Sequence, residues 1–416
     1  MTKSDNPAEL AADIRDERLI RHEGIGGAIR AFQVRVRGGD LGSLPVVVGL
    51  IIIWAIFQLL NPKYLSSENL VNLTMQSAAV GTIAIGVVLV LLIAQIDLSV
   101  GSVSGLAAAI LGVGMTQLGW PIWLSIVVAL AVAACIGLLY GFLFTRFGVP
   151  TFVITLAGLL AVLGLQLKVL GPHGSINLPY DSWIVQFGQT MFLPPWVAYT
   201  LAVIAALGMF ASDWFRARRH IRAGLTAGSI SVMILKSVLL LLVLVASVWY
   251  LATARGVGLM FLLFVVLVVI MNFFLTRTRW GRAVYAVGGN VEAARRAGIK
   301  VNRIYMSVLV LGTLFAALGG ILASARLTAA SLSSGGGDTN LVAIAAAVIG
   351  GTSLFGGRGN AYSALLGIFV IQSISNGLSL MNLDSSIRYM ITGAVLLLAV
   401  IIDSLSRRSR ASHGQA

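Results

Sequence analysis

Long apolar runs recur along this chain, separated by short polar joints. They are Leu44 to Leu60, Asn69 to Ala94, a stretch resuming after Ser102 as far as Leu118, Ile122 to Phe147, Pro150 to Leu170, Trp196 to Ala211, Ile230 to Thr253, Gly256 to Leu275, Ile304 to Leu327, Leu341 to Phe355, Ala361 to Met381 and Tyr389 to Ile402. Most approach the about 20 helical residues that cross a bilayer core, and they are too long for barrel strands of about 10. They also lack the apolar/polar alternation of a barrel strand. A backbone in lipid must satisfy its own hydrogen bonds, which a helix does alone. The pattern therefore predicts an all-α polytopic membrane protein with about 12 apolar helical segments, some short or broken. Within it, Gly137 and Gly141 offer a small-residue face for close helix packing, and Asn72, Thr74 and Gln76 are expected to face other helices.

Composition agrees. Of 416 residues, 58% are hydrophobic and 11% charged, against about 25% charged in soluble proteins. The net charge of +14 does not point to nucleic acid, because the basic residues sit in short clusters between apolar runs. With the N-terminus inside, 23 of the 29 Lys and Arg fall on loops assigned to the inner side. The positive-inside rule then predicts that both termini and the 277–303 loop are cytoplasmic. The remaining six are Lys63, Lys168, Lys236, Arg255, Arg326 and Arg388. Lys168 and Lys236 are expected near span ends, where their stems can snorkel. The domain division is a tail at 1–43, a membrane domain at 44–403 and a basic tail at 404–416. The first tail carries seven basic and seven acidic residues. It reads either as unstructured chain or as a surface helix over Ala8 to Phe32, and no signal peptide is expected from it.

The longest polar interruption is Arg277 to Arg303. Asn290 suits an N-cap, Glu292 suits the first turn, and Ala293, Ala294 and Ala297 favour helix. Gly298 suits the left-handed position past the helix end. The expected element is a two-turn helix from Val291 to Ala297, too short to stand alone in water. Two supports are open to it: anionic lipid headgroups or a groove on another protein. A bare alanine face without bulky Leu, Phe or Trp suits the groove better.

Two further polar sites interrupt apolar sequence. Asp97 lies in a break from Gln95 to Ser102, either capping a helix that starts at Leu98 or serving a pathway, since ionisable groups at membrane depth are costly. Gly350, Gly351, Thr352 and Ser353, followed by Gly356 and Gly357, interrupt a late run. Broken helices can line cavities, and glycine can equally serve tight packing. Gly171 to Pro194 reads as a long polar loop. The lone Cys135 excludes a disulfide framework, and four scattered histidines give no metal spacing. No Gly-Lys dipeptide occurs, so there is no P-loop and the chain is not itself an ATPase.

The run Gly281-Arg282-Ala283-Val284-Tyr285-Ala286-Val287-Gly288-Gly289-Asn290, continuing as Val291-Glu292-Ala293-Ala294-Arg295-Arg296-Ala297-Gly298-Ile299, resembles the cytoplasmic coupling segment of sugar permeases in ATP-binding-cassette (ABC) importers. Ile96 to Ser102, IDLSVGS, and Ile349 to Leu354, IGGTSL, are similar to two other motifs of the ribose/xylose group of that family. The resemblance covers Asn61 to Asp403, and two extra apolar segments between Trp196 and Thr253 make it most similar to the xylose-type permease. It implies a transport subunit of the bacterial cytoplasmic (inner) membrane that imports a monosaccharide, xylose foremost. The implied partners are a second permease copy, a cytoplasmic ABC ATPase and an extracytoplasmic sugar-binding protein. ATP and Mg would be used by the ATPase partner, with no cofactor on this chain. The implied ATPase-coupling residues are Arg282 as a flank, Gly288 and Gly298 as backbone turns, Glu292 as the polar anchor, and Asn290, Ala293 and Ala294. Gln95, Asp97, Ser99, Gly350, Thr352 and Ser353 become candidates for the translocation pathway. The alternatives are a gradient-driven secondary sugar transporter, which predicts buried charge relays beyond Asp97, and a channel or scaffold, which depends on neither ATP nor a gradient.

Overall fold

The computed structural model describes residues 44–223, 229–336 and 338–384, with isolated positions from 386 to 401. The 1–43 tail, the 404–416 tail and half of the run from Tyr389 to Ile402 lie outside the described residues. The described chain is mostly helical. Eight of its helices are long and apolar enough to cross a membrane, and three shorter apolar helices accompany them.

The chain divides into two units. The larger holds α1 (Leu44–Leu60), α2 (Ser67–Leu92), α3 (Val100–Thr116), α4 (Ile122–Phe147) and α5 (Thr151–Leu170). The short strand β1 (Ser175–Asn177) and α6 (Trp183–Gln189) follow. The smaller unit holds α7 (Pro195–Arg222) and α8 (Ile230–Ala252). The larger unit resumes with α9 (Leu259–Arg277), α10 (Arg279–Gly289), α11 (Val291–Arg296), α12 (Val301–Leu327), β2 (Ala329–Ser331), α13 (Thr339–Ile349) and α14 (Tyr362–Leu380).

Several boundaries differ from the sequence reading. α7 runs 28 residues, through the basic stretch expected to be a loop. Nothing in Asp213 to Arg222 breaks a helix, Asp213 lies 4.0 Å from Arg216, and Arg218 sits 4.8 Å over the Trp214 ring. At 1.5 Å per residue such a helix is about 42 Å long, more than the about 30 Å hydrocarbon core. The expected run to Phe355 is helical only to Ile349, because Gly350 and Gly351 (φ +102) end α13. The Gly171 to Pro194 loop contains β1 and α6. β1 pairs antiparallel with β2 (Ser175↔Ser331, Ile176↔Ala330), burying Ile176 and Ala330 against Ala108 and Ala109.

The core of the larger unit is α2 with α12. Of the apolar window of α2, 89% is buried, and of α12 56%. Glycines let the two backbones approach closely there. A Cβ on Gly86 would come within 2.7 Å of the Gly312 carbonyl, and one on Gly319 within 2.7 Å of the Ala79 carbonyl. Small residues bring helices close where the lipid offers no hydrophobic drive for association. Gly137 and Gly141 of α4 make the expected close face, against Val310 and Met306 of α12. Of the polar trio in α2, Thr74 is buried but bonds back to the Val71 carbonyl, and Asn72 is exposed. Gln76 is part-buried, and an interhelical contact is seen one turn earlier. Asn69 and Asn376 of α14 exchange amide bonds at 2.8 and 3.0 Å.

Candidate functional site

The polar interruption at 277–303 is almost wholly helical, which the sequence reading recognised only for its second half. Thr278 accepts from the Gly281 N–H (3.1 Å) and starts α10. Gly281, Val284, Val287 and Gly288 recur at helical spacing and are buried, while Arg282 is exposed on the opposite side. At Asn290 the chain turns into α11, and the Asn290 Oδ1 accepts from the Ala293 N–H at 2.9 Å.

The far end of α11 closes as a Schellman motif. The Gly298 N–H donates to the Arg295 carbonyl (3.0 Å) and the Ile299 N–H to the Ala294 carbonyl (3.1 Å), with Gly298 at φ +79. Both caps therefore fall on the expected residues. The alanine face does not stay bare as a whole: Ala294 is 3% exposed and packs inward, whereas Ala293 and Ala297 face outward. Glu292 pairs with Arg295 at 2.6 Å, both exposed. The free surface is thus a small-residue patch edged by one acid and the arginines 295 and 296.

Gly288 has a different role from the expected backbone turn. It is helical, and a Cβ there would fall on the Leu92 carbonyl oxygen and within 2.7 Å of the Gly357 nitrogen. Leu92 ends α2, so α10 is seated directly on the first helix break.

That break is built from backbone. Ala94 takes φ +56, and the Gln95 N–H reaches back to the Val90 carbonyl (3.1 Å). The Gln95 Oε1 accepts from Thr151 (2.6 Å), and the Leu98 N–H donates to Thr155 Oγ1 (3.1 Å), both on α5. Asp97 is 3% exposed, and its Oδ1 accepts from the N–H and hydroxyl of Ser99, each at 2.7 Å. The next helix begins at Val100, not at Leu98. Asp97 holds the turn before it rather than capping it, and its Oδ2 is buried without a partner among the described residues.

The second break meets the first. The Gly357 N–H donates to the Leu92 carbonyl (2.9 Å), Gly356 packs against Ala94, and the Tyr285 hydroxyl donates to the Gly359 carbonyl (2.8 Å). Burial pushes the Tyr285 phenol above its ordinary range, so it remains a donor at physiological pH. Gly350 lies against the Ser363 backbone, Thr352 is buried, and Ser353 donates its N–H to the Arg358 carbonyl.

The chain just before the first motif (Leu92) and just after the last (Gly357) therefore meets at Gly288 of the coupling segment, bringing the flanks of all three together. Tyr285, Thr151 and Thr155 escaped the sequence reading. Tyr285 had one legible signal: it lies between Gly281 and Gly288 on the same flank of a helix.

The profile of the branched-chain amino acid transport system / permease component family matches residues 69–400. The xylose transport system permease protein XylH of Escherichia coli (strain K12) is 38% identical over 348 residues, covering 83% of this chain and 87% of that protein. The protein of the same name from Haemophilus influenzae is 32% identical over 375 residues, covering 90% and 99%. The ribose import permease protein RbsC of Bacillus subtilis is 31% identical over 365 residues, covering 88% and 94%. No solved structure matches. Together with eight membrane-length apolar helices, this kinship makes the chain a multi-pass protein of the bacterial inner membrane. It belongs to the permease family of that profile, in the ribose/xylose group of ABC-importer sugar permeases.

Proposed function

We propose that the chain forms the translocation pathway of an ATP-driven monosaccharide importer, with xylose as the favoured cargo, and that α11 receives the stroke of a separate cytoplasmic ATPase. The seating of α10 on the Leu92 carbonyl carries this reading. A load on α11 passes through α10 to both helix breaks at once, with no flexible linker between them. Two copies of the chain enclose the pathway, and a soluble sugar-binding protein delivers cargo from outside. Both chain ends lie in the cytoplasm, and about twelve apolar segments, some short or broken, make up the membrane part. The ATPase supplies the ATP and Mg chemistry, and this chain supplies the moving walls.

The docking patch comprises Glu292, Ala293 and Ala297, flanked by Arg282 and the arginines of α11. Asn290 and Gly298 keep the short helix formed, and Ala294 anchors it to the bundle. Gln95, Asp97, Ser99, Gly350, Thr352 and Ser353 belong to the breaks through which the pathway changes shape. Xylose rests on the similarity to the XylH proteins.

The deciding experiment replaces Glu292 with Lys in the complex reconstituted with its ATPase and binding protein. The charge reversal sets a cation beside Arg295 and an ATPase groove fitted to an acid. ATP-driven uptake of labelled xylose is expected to fall about tenfold or more, with loss of ATPase co-purification. Unchanged uptake and co-purification would refute the coupling assignment.

A further inference from the structure

A cleft of about 250 Å³ opens in the larger unit between α2, α13, α14 and the segment holding Tyr389. Its floor is aliphatic, but five polar side chains converge on it: Asp338, Thr339, Gln372, Ser375 and Tyr389. None of the five side chains has a hydrogen-bond or ionic partner among the described residues. One turn away on α14 the polar side chains are paired. Asn376 is bonded to Asn69, and Ser373 receives the Trp54 indole (2.8 Å) and, at its carbonyl, the Tyr64 hydroxyl (3.0 Å). The cleft runs from Asp338 and Thr339 at the start of α13 to Val80 and Ile371, which lie at the middle of α2 and of α14. The five groups are exposed or part-buried, so the cleft is open and offers its hydrogen-bonding capacity to water or to a ligand.

The set of groups is chemically specific. A carboxylate only accepts, whereas an amide and hydroxyls both donate and accept. A neutral molecule carrying adjacent hydroxyls matches all of them, and the exposed Tyr389 ring offers a flat apolar face to its C–H groups. The volume falls just below the about 300–1,000 Å³ of drug-sized pockets, which limits the occupant to one small polyol.

We propose that this cleft is a sugar-binding station within the permease, in which Asp338 and Gln372 read the hydroxyls of one monosaccharide during passage. The inference rests on the importer reading above and adds a selectivity filter beyond the binding protein.

The test uses the permease–ATPase complex in lipid nanodiscs with the binding protein omitted, and saturation-transfer NMR of D-xylose and of D-ribose. Transfer to the sugar ring protons is expected in the native complex. The apparent affinity is expected to fall about tenfold in Asp338→Asn, the worth of a hydrogen bond to a charged group, and to change its xylose-to-ribose ratio in Gln372→Ala. Absence of transfer in the native complex overturns the proposal, as does an unaltered signal in both variants. Monodisperse elution of each complex guards against misfolding, and Ser375→Ala is the milder substitute if either variant fails it, judged by the same loss of transfer. ATP-driven uptake by the native complete transporter is scored separately. Its absence would sink the importer reading itself, whereas uptake without transfer would sink only the cleft.

Discussion

At the residue scale, Gly288 shows how contact rather than conformation selects a glycine. Its backbone is helical, so any residue could adopt it, yet a single methyl would collide with the Leu92 carbonyl. Gly288→Ala must push α10 off α2, at a cost of about 1–3 kcal/mol for overpacking. We expect the variant to insert in the membrane and to lose at least about tenfold in sugar uptake, measured in membrane vesicles. Tyr285→Phe removes only the bond to the Gly359 carbonyl, worth about 0.5–1.5 kcal/mol. It should lower the sugar moved per ATP hydrolysed without releasing the ATPase. Asn290→Ala deletes the N-cap of α11 at about 1 kcal/mol, and Asn290→Asp, which keeps an accepting oxygen, should restore most of it. ATPase affinity, read by surface plasmon resonance, is expected to follow that order.

At the element scale, helices are joined by a few buried polar pairs and by glycine contacts. The reciprocal Asn69–Asn376 amide pair ties the start of α2 to α14. A double-mutant cycle with alanine at both positions should return a coupling of about 0.6–2 kcal/mol in thermal unfolding in detergent, the usual worth of such a bond between membrane helices. α11 is the opposite case. Its stability comes from two caps and one buried alanine, and its ion pair is exposed. A pair of that kind contributes little, which leaves Glu292 available to an incoming partner at small cost. The two breaks are themselves one element in mechanical terms, since Gly357 bonds to the last carbonyl of α2 and Gly356 packs on Ala94.

At the scale of the whole molecule, orientation is the first thing to establish. In a Cys135→Ser background, Ala293→Cys should react with a membrane-impermeant maleimide only after the cells are permeabilised, and Asp181→Cys should react in intact cells. Both positions are exposed, so reactivity reports the side of the membrane. The reverse labelling would invert the topology and remove the ATPase from α11. The long α7 gives a further expectation, because its basic end extends past the hydrocarbon core by the length argument above. The positive-inside rule puts the expected position of that end on the cytoplasmic side.

Hydrophobic runs, basic clusters and caps are local properties, and they were legible in the chain alone. Run length separates spanning helices from strands, and Asn290, Glu292 and Gly298 mark α11 because capping is decided within one turn of backbone. The break at Asp97 was equally visible, since a carboxylate amid apolar residues demands a non-helical explanation. What the linear order does not carry is which distant backbones touch. The seating of Gly288 on Leu92, the bond from Gly357 to the same carbonyl, and the inward turn of Ala294 are contacts between segments far apart in sequence. They depend on side-chain-free surfaces meeting in space, and so does the gathering of Asp338, Gln372, Ser375 and Tyr389 around one cleft. Periodicity places a residue on a face of its own helix, and only packing decides what that face meets.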